Sequence, residues 1–263
     1  MTELRPRRLA TVVALALLPL SACGGGAGSP KAVPAPSANL GAVVDFAIPA
    51  SIADLPLTKP DGSTTTLAAY RGQPVMVADF LTNCTDICPL ISANTAALGR
   101  ALAVDGYGGK VALLEISVDP RRDTAARLRA YRKLFGAAPL PDWTLLRASP
   151  SNTAKLWKFL GVEYQRVKED KPPAIDWLTH KPLTYDVVHS DDLIFLDGSG
   201  HERFVVNADP DVQGKLPPAK LVRFLNGEGL KSLYHPNRVA AWTVSQGLSV
   251  FSWLLNRHLP LPS

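Results

Sequence analysis

The chain has 263 residues, 46% of them hydrophobic, with 28 Lys+Arg against 23 Asp+Glu for a formal charge of +5. It has no Lys/Arg-rich run, and its aromatic residues do not interleave with basic ones, so nothing in it reads as a nucleic-acid surface. The front carries one apolar segment, too short for a conventional transmembrane helix; there is no second one and no internal repeat.

Residues 1–22 read as an export signal. Arg5, Arg7 and Arg8 form a basic start, Leu9 to Leu20 an apolar stretch, and Ser21 and Ala22 are small residues before Cys23. Leu20-Ser-Ala-Cys23 resembles the lipobox of bacterial lipoproteins, which implies cleavage before Cys23 and a lipid on its sulfur. Residues 23–44 are rich in Gly, Ala, Ser and Pro and read as a flexible tether. At about 3.3 Å per residue, the roughly 16 residues that follow Cys23 reach roughly 50 Å. The expected location is extracytoplasmic, lipid-anchored to the outer face of the bacterial cytoplasmic membrane. Residues 45–260 are expected to form one domain. It is large enough to build a full core without disulfides.

Within that body, Val75 to Leu81 reads as a buried strand, and Cys84-Thr-Asp-Ile-Cys88-Pro89 follows at once. Pro89 to Ala103 reads as a helix, with proline in its first turn, where a missing N–H costs little. Val111 to Val118 is a second buried strand. Asp119 to Thr124 is a loop whose Asp123 or Thr124 caps the next helix, and in that helix Leu128, Tyr131, Leu134 and Phe135 share a face. Gly136 sits at its C-cap. Ser149-Pro150 opens a further helix through Trp157 and Leu160, closed by Gly161. Residues 165–186 are polar and proline-bearing and read as a long excursion. Asp192–Asp197 and Glu202–Asn207 form a hairpin, and helices near Pro218–Asn226 and Ala240–Leu255 finish the chain. This order predicts an α/β domain with a central mixed sheet flanked by helices. A thiol pair at the start of the first long helix resembles the thioredoxin arrangement, where the helix dipole favours thiolate.

Apart from Cys23, all the cysteine is in the Cys84/Cys88 pair. His189 lies 101 residues beyond Cys88 in the sequence, in Asp-Val-Val-His-Ser. Two soft sulfurs and an imidazole suit a thiophilic metal, copper above all with zinc as a further option, or dithiol redox work. At i and i+4 the two sulfurs share a helix face or the loop before it, so both reach one ion. A disulfide across so short a loop would add little stability. Spacing does not choose among the five histidines, His180, His189, His201, His235 and His258.

Several segments, in order, resemble the Sco/SenC family of copper-binding, thioredoxin-like proteins. They are Leu67 to Val75, Phe80 to Pro89, Ile116 to Thr124, Trp143 to Leu146, Leu160 to Val162, and Val188-His-Ser190 with Ile194 to Asp197. The resemblance spans about residues 45–256. It implies copper, as Cu(I), Cu(II) or both, held by Cys84, Cys88 and His189. It also implies an assembly role, as a metallochaperone that delivers copper to the cytochrome c oxidase subunit carrying the Cu-A site, or to another copper client, or that keeps that site's cysteines reduced. Thr85 stands where many members have proline, and Val188 where an acidic residue often precedes the histidine. The loop before His189 is long. The alternative is a thiol–disulfide reductase in which Cys84 and Cys88 keep client cysteines reduced.

Overall fold

The computed structural model describes residues 32–260 except 137–139, 141, 207 and 238–240. The expected export signal, Cys23 and the first part of the expected tether lie outside the described residues, as do Asn207 and Ala240 at the ends of two expected elements. Eight strands matter for the site: β1 (Gly41–Ala47), β2 (Val75–Phe80), β3 (Ala112–Ser117), β4 (Trp143–Leu146), β5 (Tyr164–Val167), β6 (Asp186–His189), β7 (Leu193–Leu196) and β8 (His201–Val206). Five helices matter with them: α1 (Cys88–Val104), α2 (Ala125–Leu134), α3 (Pro150–Leu160), α4 (Gly227–Tyr234) and α5 (Val244–Leu254).

Six strands form one mixed sheet in the order β1-β8-β7-β2-β3-β4. β2, β3 and β4 run parallel, whereas β7, β8 and β1 are antiparallel to their neighbours. Every residue of β2, β3 and β7 is buried, as expected where both faces of a sheet are covered. Among the described residues no helix is long and apolar enough to cross a membrane.

The predicted strand, helix, strand, helix, helix and hairpin are all present. α1 starts one residue earlier than expected, at Cys88, with Pro89 in its first turn. Its buried residues run almost all the way round because it packs on β3 and β4 and is covered again by α5. Thr124, not Asp123, caps α2 by accepting from Arg127 N–H. Gly161 closes α3 in the left-handed region, at φ 77°. Three features differ from the sequence reading. β1 and β4 were not expected, being a mostly exposed edge strand and a four-residue strand with little pattern to read; residues 41–44, expected in the tether, instead belong to β1, paired with β8. The excursion is closed at its base, where β5 and β6 pair antiparallel with Tyr164 opposite His189. The helix expected near Pro218–Asn226 is one turn, Ala219–Val222, and α4 follows it.

Candidate metal centre

The topology brings the three candidate ligands together. β2 runs parallel to β3 and antiparallel to β7, so the end of β2 and the start of β7 lie at the same edge of the sheet. The chain leaving β2 turns at Leu81, where Cys84 N–H donates to Leu81 O at 3.2 Å, and enters α1 at Cys88. The chain entering β7 comes from β6, which ends at His189. The cysteine loop and the histidine loop therefore meet. Cys84 Sγ, Cys88 Sγ and a ring nitrogen of His189 lie within 4.8 Å of one another. Cys88 Sγ is 3.3 Å from His189 Nε2, and Cys88 N–H donates to Cys84 Sγ at 3.4 Å. Both thiols are free; Cys88 is buried and Cys84 half-buried.

His189 is aimed by a carboxylate. Its Nδ1 lies 2.5 Å from Asp79 Oδ2, and the other oxygen of Asp79 accepts Asp192 N–H at 2.9 Å. Asp79 is 0% exposed, next to the end of a buried strand. Asp191 Oδ1 lies 3.5 Å from the same Nδ1. With Nδ1 engaged, Nε2 faces the sulfurs, which is how an outer carboxylate fixes a histidine ligand. Sequence reasoning noted no acidic neighbour at Val188 and did not find Asp79, 110 residues before the histidine. The signal was there, as the single charge in the run Val75 to Leu81.

The electrostatics favour one ionised thiol. Burial resists charge on Cys84, but hydrogen bonding from Cys88 and His189 and the charge on His189 outweigh it, and its thiol is pulled down to about 5. Burial and the neighbouring Cys84 push Cys88 well up. Burial also works against a charged His189, but Asp79 first, then Cys84 and Asp191, hold it well above the usual imidazole range. Burial pushes Asp191 up to about 8, opposed by His189. Burial and then the charge of Cys84 push Asp86, in the loop between the cysteines, up to about 6. Asp119 instead takes hydrogen bonds from Tyr185 Oη at 3.0 Å and from Arg122, and orders its own loop.

A polar network fixes the residues just before Cys84. Thr82 Oγ1 donates to Asp123 at 2.5 Å and accepts from Arg127 Nε at 2.6 Å. Arg127 also bonds Asn83 and pairs with Asp176 in the excursion at 2.9 Å. Beside His189 lies an open groove of about 920 Å³, lined in part by Lys158, Glu163, Tyr164 and Val188. The donor set fits copper: two thiol sulfurs and one imidazole nitrogen, with an anion holding the far side of the ring. Of the other histidines, His201 pairs with Asp45 at 2.7 Å and His180 lies tilted against Phe224, ring centres 6.2 Å apart. Neither joins a cluster of metal-binding groups among the described residues.

A family model described as SCO1/SenC matches residues 50–213. A SCO1 protein homolog of Bacillus subtilis (strain 168) is 26% identical over 143 residues, 54% of this chain and 70% of the relative. Among solved structures, Bradyrhizobium japonicum ScoI with copper bound is 25% identical. It covers 70% of this chain and 99% of its own, with a TM-score of 0.47. Yeast Sco1 with copper bound is 20% identical, covering 70% of this chain and 85% of its own, with a TM-score of 0.44. The family match takes in the cysteine loop, the parallel strands, the histidine loop and the hairpin, more than half of the chain, and the chain belongs to the SCO1/SenC family.

Proposed function

We propose that this protein is a copper-binding metallochaperone, anchored outside the cytoplasm by a lipid on Cys23, that serves assembly of the Cu-A site of cytochrome c oxidase. The observation that carries the reading is the convergence of Cys84, Cys88 and His189 within 4.8 Å, with His189 oriented by Asp79. Membership of the SCO1/SenC family supports the copper assignment and the oxidase client. The basic, then apolar, then Cys23 order of the front of the chain supports the anchor.

The chemistry follows from the donor set. Two thiolates and one neutral imidazole nitrogen form a soft site for Cu(I). Cys84 is already ionised near neutral pH, so uptake has to displace a proton from Cys88 and from His189 Nε2. Asp79 keeps its bond to Nδ1 while Nε2 turns to metal. The half-buried Cys84 is the sulfur an incoming client ligand reaches first, so cargo leaves by exchange from that side.

Cu(I) loaded anaerobically onto the reduced full chain tests this. Near one copper per chain is expected, lost in Cys84→Ala/Cys88→Ala and weakened in His189→Ala. No retained copper in the reduced wild type would sink the reading.

The ionised, half-buried Cys84 also favours a second reading, a thiol–disulfide reductase. Cys84 thiolate would attack a client disulfide to give a mixed disulfide and release one client thiol. Cys88 would then resolve it, leaving a Cys84–Cys88 disulfide and a client dithiol. His189→Ala separates the two, since metal holding suffers more from its loss than dithiol exchange does.

A further inference from the structure

The family match ends at residue 213, and the chain beyond it returns to the metal centre. Val212, Leu225 and Leu233 bury a small second core against Leu90, which lies two residues past Cys88 on α1. Asn94, one turn further on, donates from Nδ2 to the carbonyls of Asp211 and Trp242, both at 3.2 Å. The segment then reaches the cysteine loop itself. Asn226 N–H donates to Thr85 O at 2.6 Å, between the two cysteines. Asn226 also caps α4, its Oδ1 accepting Gly229 N–H at 2.8 Å. Gly229 lies so close to the loop that a Cβ there would stand 2.8 Å from Thr85 O and 2.9 Å from Asp86 O. Two positions earlier, Gly227 faces open space.

We propose that residues 211–234 are a brace for the Cys84–Cys88 loop, with Asn226 and Gly229 as positioning residues that hold the loop in its open, dithiol arrangement. Closing a disulfide brings the sulfurs to about 2.05 Å in a fixed Cβ–S–S–Cβ twist. Any shift of the loop backbone that helps them meet is resisted here, because its carbonyl at Thr85 is pinned and Asp86 lies under the start of α4. The brace therefore disfavours the disulfide and keeps the sulfurs spaced for a shared ion. The copper consequence rests on the function proposed above; the disulfide consequence does not.

The test equilibrates the metal-free full chain with glutathione. Cys84 and Cys88 give up two electrons and two protons as their S–S bond forms, and oxidised glutathione takes them up as two thiols. Gly229→Ala pushes α4 off the loop, and Leu233→Ala loosens the small core without touching the loop. Each is expected to shift the equilibrium at least about tenfold toward the intramolecular disulfide, about 30 mV for this two-electron couple. Gly227→Ala, with nothing for its Cβ to meet, is expected to shift it less than about twofold. Both brace variants are expected to hold Cu(I) more weakly than Gly227→Ala does. Circular dichroism checks folding in each case, and Leu233→Ala decides alone if Gly229→Ala does not fold. Wild-type disulfide constants in the folded brace variants, or a shift toward the dithiol, would overturn the brace. Absence of copper binding in the wild type would instead overturn the copper reading and leave the disulfide comparison to judge the brace.

Discussion

Two buried carboxylates stand almost side by side in this sheet. Asp79 on β2 and Glu115 on β3 are each 0% exposed, and they are one step out of register, with Ala78 opposite Glu115 and Asp79 opposite Ile116. They therefore point to opposite faces. Asp79 uses both oxygens, one toward His189 Nδ1 and one for Asp192 N–H. Glu115 accepts from Ser92 Oγ at 2.7 Å through Oε2, while Oε1 makes no hydrogen bond. Burial raises both. His189 pulls Asp79 back most, whereas Glu115 goes up to about 7 against Ser92, Thr95 and Trp143. A buried carboxylate with a cationic partner is part of a site; one with only neutral polar neighbours is a cost to the fold.

The largest expected effect breaks the pair on the Glu115 side. Below pH 4.5 the carboxyl is protonated in folded and unfolded chains alike and costs nothing. Between pH 4.5 and about 7 the unfolded chain releases its proton first, so stability falls as pH rises. Above about 7 the loss is complete, on the order of 3 kcal/mol at 1.36 kcal/mol per pKa unit. Glu115→Gln should recover most of that above pH 7, recover almost none at pH 4, and leave copper binding unchanged. Urea denaturation at pH 4 and pH 8 measures it. An equal effect at both pH values would mean that Glu115 is not the group responsible.

The Asp79 side should read out in metal binding. Asp79→Asn keeps the shape and an acceptor for Nδ1 but removes the charge that steadies the ring. Loss of such an outer partner typically costs about 10–100-fold in metal affinity. Competition with a Cu(I) chelator measures it, and combining Asp79→Asn with His189→Ala should add little to His189→Ala alone. Additive losses would show Asp79 acting on the sheet and not through the imidazole.

These carboxylates also mark how far the sequence could be read. Cys84, Cys88 and their helix were legible because strand, cysteine pair and proline are contiguous. His189 was not distinguishable from the other histidines by spacing, since what selects it is the antiparallel pairing of β7 with β2, a contact between residues more than 100 apart. Asp79 was hidden for the same reason. The polar charge in an apolar strand was visible, but its partner depends on strand order. β4 and the base of the excursion were missed because a four-residue strand carries too little alternation to read. The helical segment after residue 213 is held by close approach of Gly229 to a carbonyl and by a four-residue core, neither of which has a periodicity.

The smallest effect tests whether Asp79 has taken over a task that the sequence assigned elsewhere. Val188 occupies the position where an acidic neighbour of the histidine was expected, and its side chain is 59% exposed. A residue next to His189 on strand β6 points to the opposite face from it. A carboxylate placed at Val188 would thus sit in water, away from a ring nitrogen that already has Asp79 at 2.5 Å. Exposed charges at that remove contribute about 0–1 kcal/mol. Val188→Asp should therefore change Cu(I) affinity by less than about fivefold, and it should not restore binding to Asp79→Asn. Restoration would mean that the histidine loop swings far enough to exchange one carboxylate for the other, and that the ring is held by whichever acid is nearest, not by the sheet.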